Sequence, residues 1–311
     1  MLRASVDIGA NSVRLLVVRM DGAAVELVHD TGVLTRLGDS LAESGRIEGG
    51  PLERTIRVVA DYAATARELG AAVFCYATAG VRDASNAAEG LAALDEAARC
   101  AVRVVTGDEE ARLNLLGVRA GMRPPPDRSV ILDIGGGSTE IAWGDEEPKG
   151  GFSVPIGARK MLSRVPGLAS GDRVPPEAMA SASAAMLDAL AGRPAPPAEY
   201  VDAIASGVGG TITALAALHL GLRTYEPLRL NGTWLSVGEL AELAARLSGM
   251  TPAGRRDALF EPERADLILP GLAIALACLR WLRRDGLVVS IYGPRLGVLT
   301  DRGIALLAEG S

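Results

Sequence analysis

The stretch Val130–Trp143 reads VILDIGGGSTEIAW. Val130–Leu132 form a short apolar run of the kind found in buried strands, and Asp133 closes it. Gly135, Gly136 and Gly137 follow, then Ser138, Thr139 and Glu140, and a second apolar run starts at Ile141. The order is strand, glycine-rich turn, strand. Consecutive glycines let a backbone approach a ligand with no Cβ in the way. Successive backbone N–H groups in such a turn form a concavity that suits anions. The flanking carboxylates, Asp133 and Glu140, are of the kind that share Mg²⁺ with phosphate oxygens. Taken alone, the stretch also fits a hairpin with no ligand. A second copy decides the reading: Ser5–Leu16 is SVDIGANSVRLL, with Asp7, Ile8, Gly9, Asn11 and Ser12 in the same order between apolar runs. Two related phosphate turns predict two similar halves facing each other across a cleft, with Asp7 as the first-half counterpart of Asp133.

Composition sets the outer limits. A chain of 311 residues has room for two domains, and 49% hydrophobic content fills two cores. Aromatics make up only 4%, so those cores are built from Ala, Val, Leu and Ile. The net charge of −6 argues against general nucleic-acid binding. Lys149 and Lys160 stand against 30 arginines, so an anion here meets guanidinium groups and a metal. Cys75, Cys100 and Cys278 match neither a disulfide framework nor a zinc pattern and read as reduced core residues of a cytoplasmic protein. Met1–Ile8 is too short for a signal peptide and contains Asp7. Leu267–Leu282 is interrupted by Pro270 and Arg280 and reads as a core helix, so no membrane partner is expected.

In chain order, Leu2–Ile8, Val13–Arg19 and Ala24–Leu34 read as a three-strand meander. Arg36–Gly50 reads as a polar loop and Leu52–Leu69 as a helix stopped by Gly70. Val73–Ala77 is a strand, Ala87–Arg99 a helix and Val102–Thr106 a strand. A helix from about Glu109 to Met122 follows, with Asp108 as its expected N-cap. The proline run in Arg123–Asp127 marks the domain boundary. Beyond it a second meander covers Ser129–Ile134, Thr139–Gly144 and Gly151–Pro155. Helices are expected over Arg159–Ser163, Pro176–Leu190, Leu235–Leu247, Ala265–Arg284 and Arg295–Leu307. Strands are expected at Val201–Ser206 and Leu287–Ile291. Each half is therefore a mixed sheet with helices.

Three further groups carry chemistry. Asp108, Glu109 and Glu110 open a helix just after a strand. The helix dipole favours acids there, and a carboxylate so placed can also serve as general base toward water. Arg82 follows a strand end, where active-site residues of open α/β sheets collect, and its guanidinium matches phosphate oxygens; Asp83 and Glu89 are its alternative, structural partners. Gly209, Gly210 and Thr211 precede a helix whose N-terminus favours an anion. His29 and His219 stand apart from any second ligand residue and read as structural.

Together these residues resemble the exopolyphosphatase and guanosine pentaphosphate phosphatase family. The matching blocks are DIGANSVRLL, RLGDSL, ATAGVRDASN, VVTGDEEARLNLLG, DIGGGSTEIAWG, GVGGTITALAAL and ERADLILPG, in the family's order and across nearly the whole chain. The resemblance implies an α/β fold of two RNase H-like halves, the actin/hexokinase/heat-shock ATPase-like fold with an interdomain cleft. Residues 1–124 would form the first half, with 298–311 packed back on it, and residues 125–297 the second. It implies that Glu110 is the catalytic glutamate and Arg82 the phosphate-contacting arginine. Asp133 and Glu140 would be metal-associated, and Gly9–Ser12, Gly135–Thr139 and Gly209–Thr211 the phosphate loops.

The implied activity is Mg²⁺-dependent release of terminal orthophosphate from inorganic polyphosphate, with short chains favoured. The alternative substrate is guanosine pentaphosphate, a stringent-response nucleotide. The sequence resembles short family members without the extra C-terminal helical module, and the family admits a homodimer. Three positions depart from its pattern. Ala10 stands where serine is usual, Ser40 where glycine is common, and Leu296 where an acidic residue is usual. Ala10 and Leu296 motivate a second reading, a non-catalytic sensor of polyphosphate or guanosine tetraphosphate. Retention of Glu110, Asp133 and Glu140 argues for the hydrolase.

Overall fold

The computed structural model of the protein describes residues 1–22, 24–169 and 173–309. The chain divides into two compact units, Met1–Pro125 with Tyr292–Ser311, and Pro126–Ile291.

In the first unit, β1 (Leu2–Ile8), β2 (Ser12–Asp21) and β3 (Ala24–Leu34) form the antiparallel meander. Then come α1 (Leu37–Ser44), α2 (Gly49–Glu68), β4 (Ala72–Ala77), α3 (Ala79–Arg82), α4 (Ala87–Ala98), β5 (Val102–Val104) and α5 (Gly107–Gly121). The sheet order is β3-β2-β1-β4-β5, with β4 parallel to β1 and β5 parallel to β4. Alternate residues of β1, Ala4, Val6 and Ile8, share a buried cluster with Val59, Ala66, Leu94 and Ala98 of the helices. This is the period of two expected of strands with one face under helices.

The second unit repeats the plan. β6 (Ser129–Ile134), β7 (Thr139–Gly144) and β8 (Pro148–Val154) form its meander, followed by α6 (Ala158–Arg164), α7 (Pro176–Leu190), β9 (Ile204–Val208), α8 (Gly210–Leu220), α9 (Pro227–Leu230), β10 (Trp234–Ser236), α10 (Val237–Ser248), α11 (Pro252–Ala258), α12 (Ile268–Leu282) and β11 (Gly286–Val289). The order β10-β11-β9-β6-β7-β8 contains the strand order of the first unit plus one antiparallel edge strand. Every residue of β6 and β7 is buried. Both units have the RNase H-like arrangement, the α/β class of the actin/hexokinase/heat-shock ATPase-like fold.

The chain then returns to the first unit as α13 (Pro294–Gly297) and α14 (Asp301–Glu309); residues 310 and 311 of the expected C-terminal segment lie outside the described residues. The return is a glycine-to-backbone approach. A Cβ on Gly297 would lie 2.0 Å from the Leu113 carbonyl oxygen, and one on Gly117 would lie 1.8 Å from that of Gly293. Only glycines allow α13 this close to α5. The Ser5 hydroxyl donates to the Arg295 carbonyl at 2.8 Å, and the Arg295 guanidinium pairs with the buried Asp30 carboxylate at 2.5 Å.

Four local expectations are corrected. The Arg36–Gly50 loop contains helix α1, because Leu37 and Leu41, one turn apart, both pack on the core. Asp108 is not the N-cap of α5. Thr106 is, in a capping box where its hydroxyl accepts from Glu109 N–H at 3.1 Å and the Glu109 carboxylate accepts from Thr106 N–H at 2.7 Å. The helix expected from Leu235 starts at Val237, after a short strand, again at a capping box of Ser236 with Glu239. The closing helix over Arg295–Leu307 is two helices, because the Thr300 hydroxyl donates to the Gly297 carbonyl and accepts from Gly303 N–H, ending one helix and starting the next. Among the described residues no helix is long and apolar enough to cross a membrane.

Candidate active site

The two aspartate–glycine turns are built alike. In the first unit Gly9 N–H donates to the Ser12 carbonyl at 3.0 Å, and in the second Gly135 N–H donates to the Ser138 carbonyl at 3.0 Å. A Cβ on either glycine would press on that acceptor, at 3.3 and 3.2 Å respectively. The residues entering each turn occupy matching registers: Asp7 lies opposite Arg14, and Asp133 opposite Glu140.

In the first unit, the end of β4 is laid against the first turn. Thr78 N–H donates to the Ile8 carbonyl at 3.2 Å. Gly80 in α3 sits so close that an added Cβ would be 2.7 Å from the Ala10 Cα and 2.8 Å from its nitrogen. The start of α1 is tied to the same turn: Gly38 N–H donates to the Ala10 carbonyl at 2.6 Å and Arg36 N–H to the Asn11 carbonyl at 3.0 Å. The RLGDSL block is therefore a brace for the turn. Behind it, Tyr76 pairs in register with Asp7. Burial first, and then the Asp7 and Glu110 charges, push its phenol well above its usual range, so this hydroxyl stays protonated.

Arg82 and Glu110 meet in this unit. Arg82 Nη1 donates to the Val105 carbonyl at 2.8 Å and lies 3.5 Å from a Glu110 carboxylate oxygen, while Nε lies 3.6 Å from Asp83. Glu89, the other structural partner considered for Arg82, pairs with Arg46. Within the acidic triplet the roles separate. Glu109 turns back to cap α5 and binds Arg103 at 3.1 Å, while Glu110 faces Arg82 and is buried. The capping box thus holds the Glu109 carboxylate at the helix start, while Glu110 is the acid of the triplet that meets Arg82.

In the second unit, carboxylate oxygens of Asp133 and Glu140 lie within 4.8 Å of each other. Glu140 accepts from the Ser153 hydroxyl at 2.7 Å. Two closely spaced carboxylates offer the hard oxygen donors that suit Mg²⁺. The carbonyls of Gly135 and Gly136 accept from the first amides of α6, Ala158 and Arg159, each at 2.9 Å. The Thr139 hydroxyl donates to the Ile156 carbonyl at 2.7 Å, so it anchors the turn. Ser138 and Gly137 are buried in the same turn.

The loop Gly209–Thr211 closes on this turn. Gly209 has φ +93°, and a Cβ there would lie 2.8 Å from both an Asp133 carboxylate oxygen and the Ile134 carbonyl. Gly210 lies under the buried guanidinium of Arg264, 2.4 Å from where its Cβ would be. Arg264 is also paired with Glu261. Arg264 is the functional candidate that residue-level reading missed. It stood in the quoted ERADLILPG block, but only the fold puts it at the N-terminus of α8.

The predicted site residues thus fall into two groups. Asp7, Gly9, Asn11, Ser12, Arg82 and Glu110 cluster in the first unit. Asp133, Gly135–Thr139, Glu140 and Gly209–Thr211 cluster in the second. His219, at the other end of α8 from Thr211, lies 3.8 Å from Glu239.

Comparison with known proteins covers nearly the full chain. The model of the Ppx/GppA phosphatase family matches residues 16–303. A Mycobacterium tuberculosis relative named exopolyphosphatase 2 is 31% identical over 320 residues, covering 99% of this chain and 98% of the relative. Exopolyphosphatase 1 of Mycobacterium bovis is 29% identical over 321 residues, covering 98% of this chain and 91% of its own. The crystal structure of the Aquifex aeolicus Ppx/GppA family member aligns with TM-score 0.80 and 29% identity, over 100% of this chain and 99% of the other.

Proposed function

The chain belongs to the Ppx/GppA phosphatase family, and from that premise we propose that it is an Mg²⁺-dependent exopolyphosphatase releasing terminal orthophosphate from short-chain inorganic polyphosphate. The observation that carries the reading is the buried Glu110 carboxylate set against Arg82 at the ends of adjacent strands. In-line attack by water on a terminal phosphorus needs a base for the water's proton and positive charge for the equatorial oxygens. Glu110 is the base. Arg82 neutralises charge as it builds on the transferred phosphoryl group. Its guanidinium is already oriented by the Val105 carbonyl, so little reorganisation accompanies the reaction.

The amides of Gly9–Ser12, Gly135–Thr139 and Gly209–Thr211 cradle phosphate oxygens, and Arg264 adds charge at the third loop. Asp133 and Glu140 would hold Mg²⁺, which would supply charge neutralisation on the phosphates; Asp7 is the acid at the matching turn of the first unit. Water attacks directly, so no covalent protein intermediate forms. The named exopolyphosphatases among the relatives support this substrate.

The test is orthophosphate release from short polyphosphate, long polyphosphate, guanosine pentaphosphate and ATP, with and without Mg²⁺. Short polyphosphate is expected to be turned over fastest, and only with metal. Glu110→Gln is expected to retain substrate binding while losing more than about a hundredfold in rate, the scale of a general base. Faster release from guanosine pentaphosphate would move the substrate assignment, and an undiminished rate in the variant would remove Glu110 from its role. Tight binding with no turnover in any metal would favour the sensor.

A further inference from the structure

Cys75 and Cys100 are separated by the whole of α4 in sequence, yet their sulfurs lie 3.5 Å apart. Both are free thiols. Cys75 is buried in the β4 strand of the first core, and Cys100 is half-buried at the edge of the same cluster. The short connection carrying Cys100 is held from both sides. Arg67 donates to the Ala98 carbonyl at 2.6 Å, and Val102 N–H donates to the Asp95 carboxylate at 2.7 Å. Arg99 turns the chain with φ 52°, which brings the following cysteine back onto β4. The contact is therefore a fixed feature of the fold.

We propose that Cys75 and Cys100 form a reversible disulfide, a modification site for hydroperoxides at which Cys100 reacts first and Cys75 resolves it. Exposure sets the order. Cys100 can be reached from solvent, whereas burial, and then the neighbouring sulfur, push the Cys75 thiol well above its usual range and keep it protonated. In the first step the Cys100 thiolate attacks the terminal oxygen of the hydroperoxide. An S–O bond forms, the O–O bond breaks, and the alkoxide leaves and is protonated to the alcohol. Cys100 is now a sulfenic acid. In the second step Cys75 Sγ attacks the sulfenic sulfur. The S–S bond forms, the S–O bond breaks, and hydroxide leaves with the Cys75 proton as water. Two thiols have given two electrons to one peroxide. The sulfurs close from contact to about 2.05 Å, the length of a disulfide. The bond ties β4 to the entrance of β5, the two strands whose far ends present Arg82 and Glu110.

Hydrogen peroxide is the probe, applied to the intact folded chain and followed by non-reducing digestion and mass spectrometry. The expected product is one peptide pair joined through Cys75 and Cys100, lighter by two hydrogens and separated by dithiothreitol. Cys278, fully buried in α12, is expected to remain a free thiol. Cys75→Ser is expected to accumulate sulfinic acid at Cys100, and Cys100→Ser to leave Cys75 reduced at the same dose. The unmutated chain decides the matter if a variant fails to fold. Sulfinic acid at its Cys100 with no linked peptide would overturn the proposal. So would both cysteines staying alkylatable at a dose that oxidises glutathione.

Discussion

Gly80 shows how much a single residue settles. It sits in a four-residue helix with nothing unusual about its own backbone, yet the main chain of Ala10 occupies the space of its missing side chain. Backbone cannot swing away as the end of a side chain can. Gly80→Ala must push α3 off the Gly9–Ser12 turn, and overpacking of this kind costs about 1–3 kcal/mol. The expected outcome is a lowered melting temperature together with a raised KM for polyphosphate, since the turn is moved while Glu110 stays in place. Thermal denaturation and steady-state kinetics on the variant check both halves. A KM unchanged despite the lost stability would separate this turn from substrate binding. At the same scale, Ala10 has a clear structural place: its carbonyl accepts from Gly38 N–H and its Cα meets Gly80, so backbone atoms carry its contacts with both neighbours.

At the scale of the element, α5 is oriented by its first turn. Thr106 and Glu109 satisfy each other's backbone amides, and Arg103 on β5 holds the same glutamate. Removing a hydroxyl cap costs about 0.5–2 kcal/mol, so Thr106→Ala is expected to lower stability in that range by urea denaturation. The cap also titrates. Partial burial works to raise the Glu109 pKa, but the Thr106 amide and hydroxyl and the Arg103 guanidinium outweigh it and hold the carboxyl below its usual 4.5. The folded chain therefore releases this proton more readily than the unfolded one. The resulting stability is present above pH 4.5 and is lost as pH falls through the lower, folded value. In stability measured against pH, Glu109→Gln is expected to be less stable than the unmutated chain at neutral pH, with the difference shrinking toward acid. A constant difference would mean that Glu109 stabilises α5 without its charge.

For the whole molecule, the telling feature is that the first unit is closed by residues from the far end of the chain. Arg295 brings a guanidinium to a buried carboxylate, Asp30 on β3. Breaking a buried pair by removing one partner costs about 3–5 kcal/mol, because the remaining charge is left in a poor solvent. Arg295→Ala should therefore weaken the first unit selectively. All three tryptophans, Trp143, Trp234 and Trp281, belong to the second unit, so their fluorescence reports that unit alone. In urea, the circular dichroism transition of the variant is expected to begin ahead of the tryptophan transition. Coincident transitions would show that the two units unfold as one.

The order of residues along the chain determined the fold class and most of the candidate site. Repeated Asp-Ile-Gly between apolar runs was enough for two matching hairpins, because turn chemistry and strand alternation are local properties. The same locality explains the misses. Arg36–Gly50 is polar in local composition, but Leu37 and Leu41 share one helical face that only packing on the core makes decisive. Asp108 has an N-cap side chain, but Thr106 and Glu109, three residues apart, form the reciprocal pair that caps α5. Other features were beyond any local reading. Arg264 over Gly210, Gly80 against Ala10, Gly117 and Gly297 at the crossing of α5 and α13, Arg295 beside Asp30, and Cys75 touching Cys100 are all long-range encounters. Sequence supplies the chemical groups for these encounters, but their partners come from elsewhere in the chain. Only packing, which excludes water and fills space to within a methyl group, decides which of them meet.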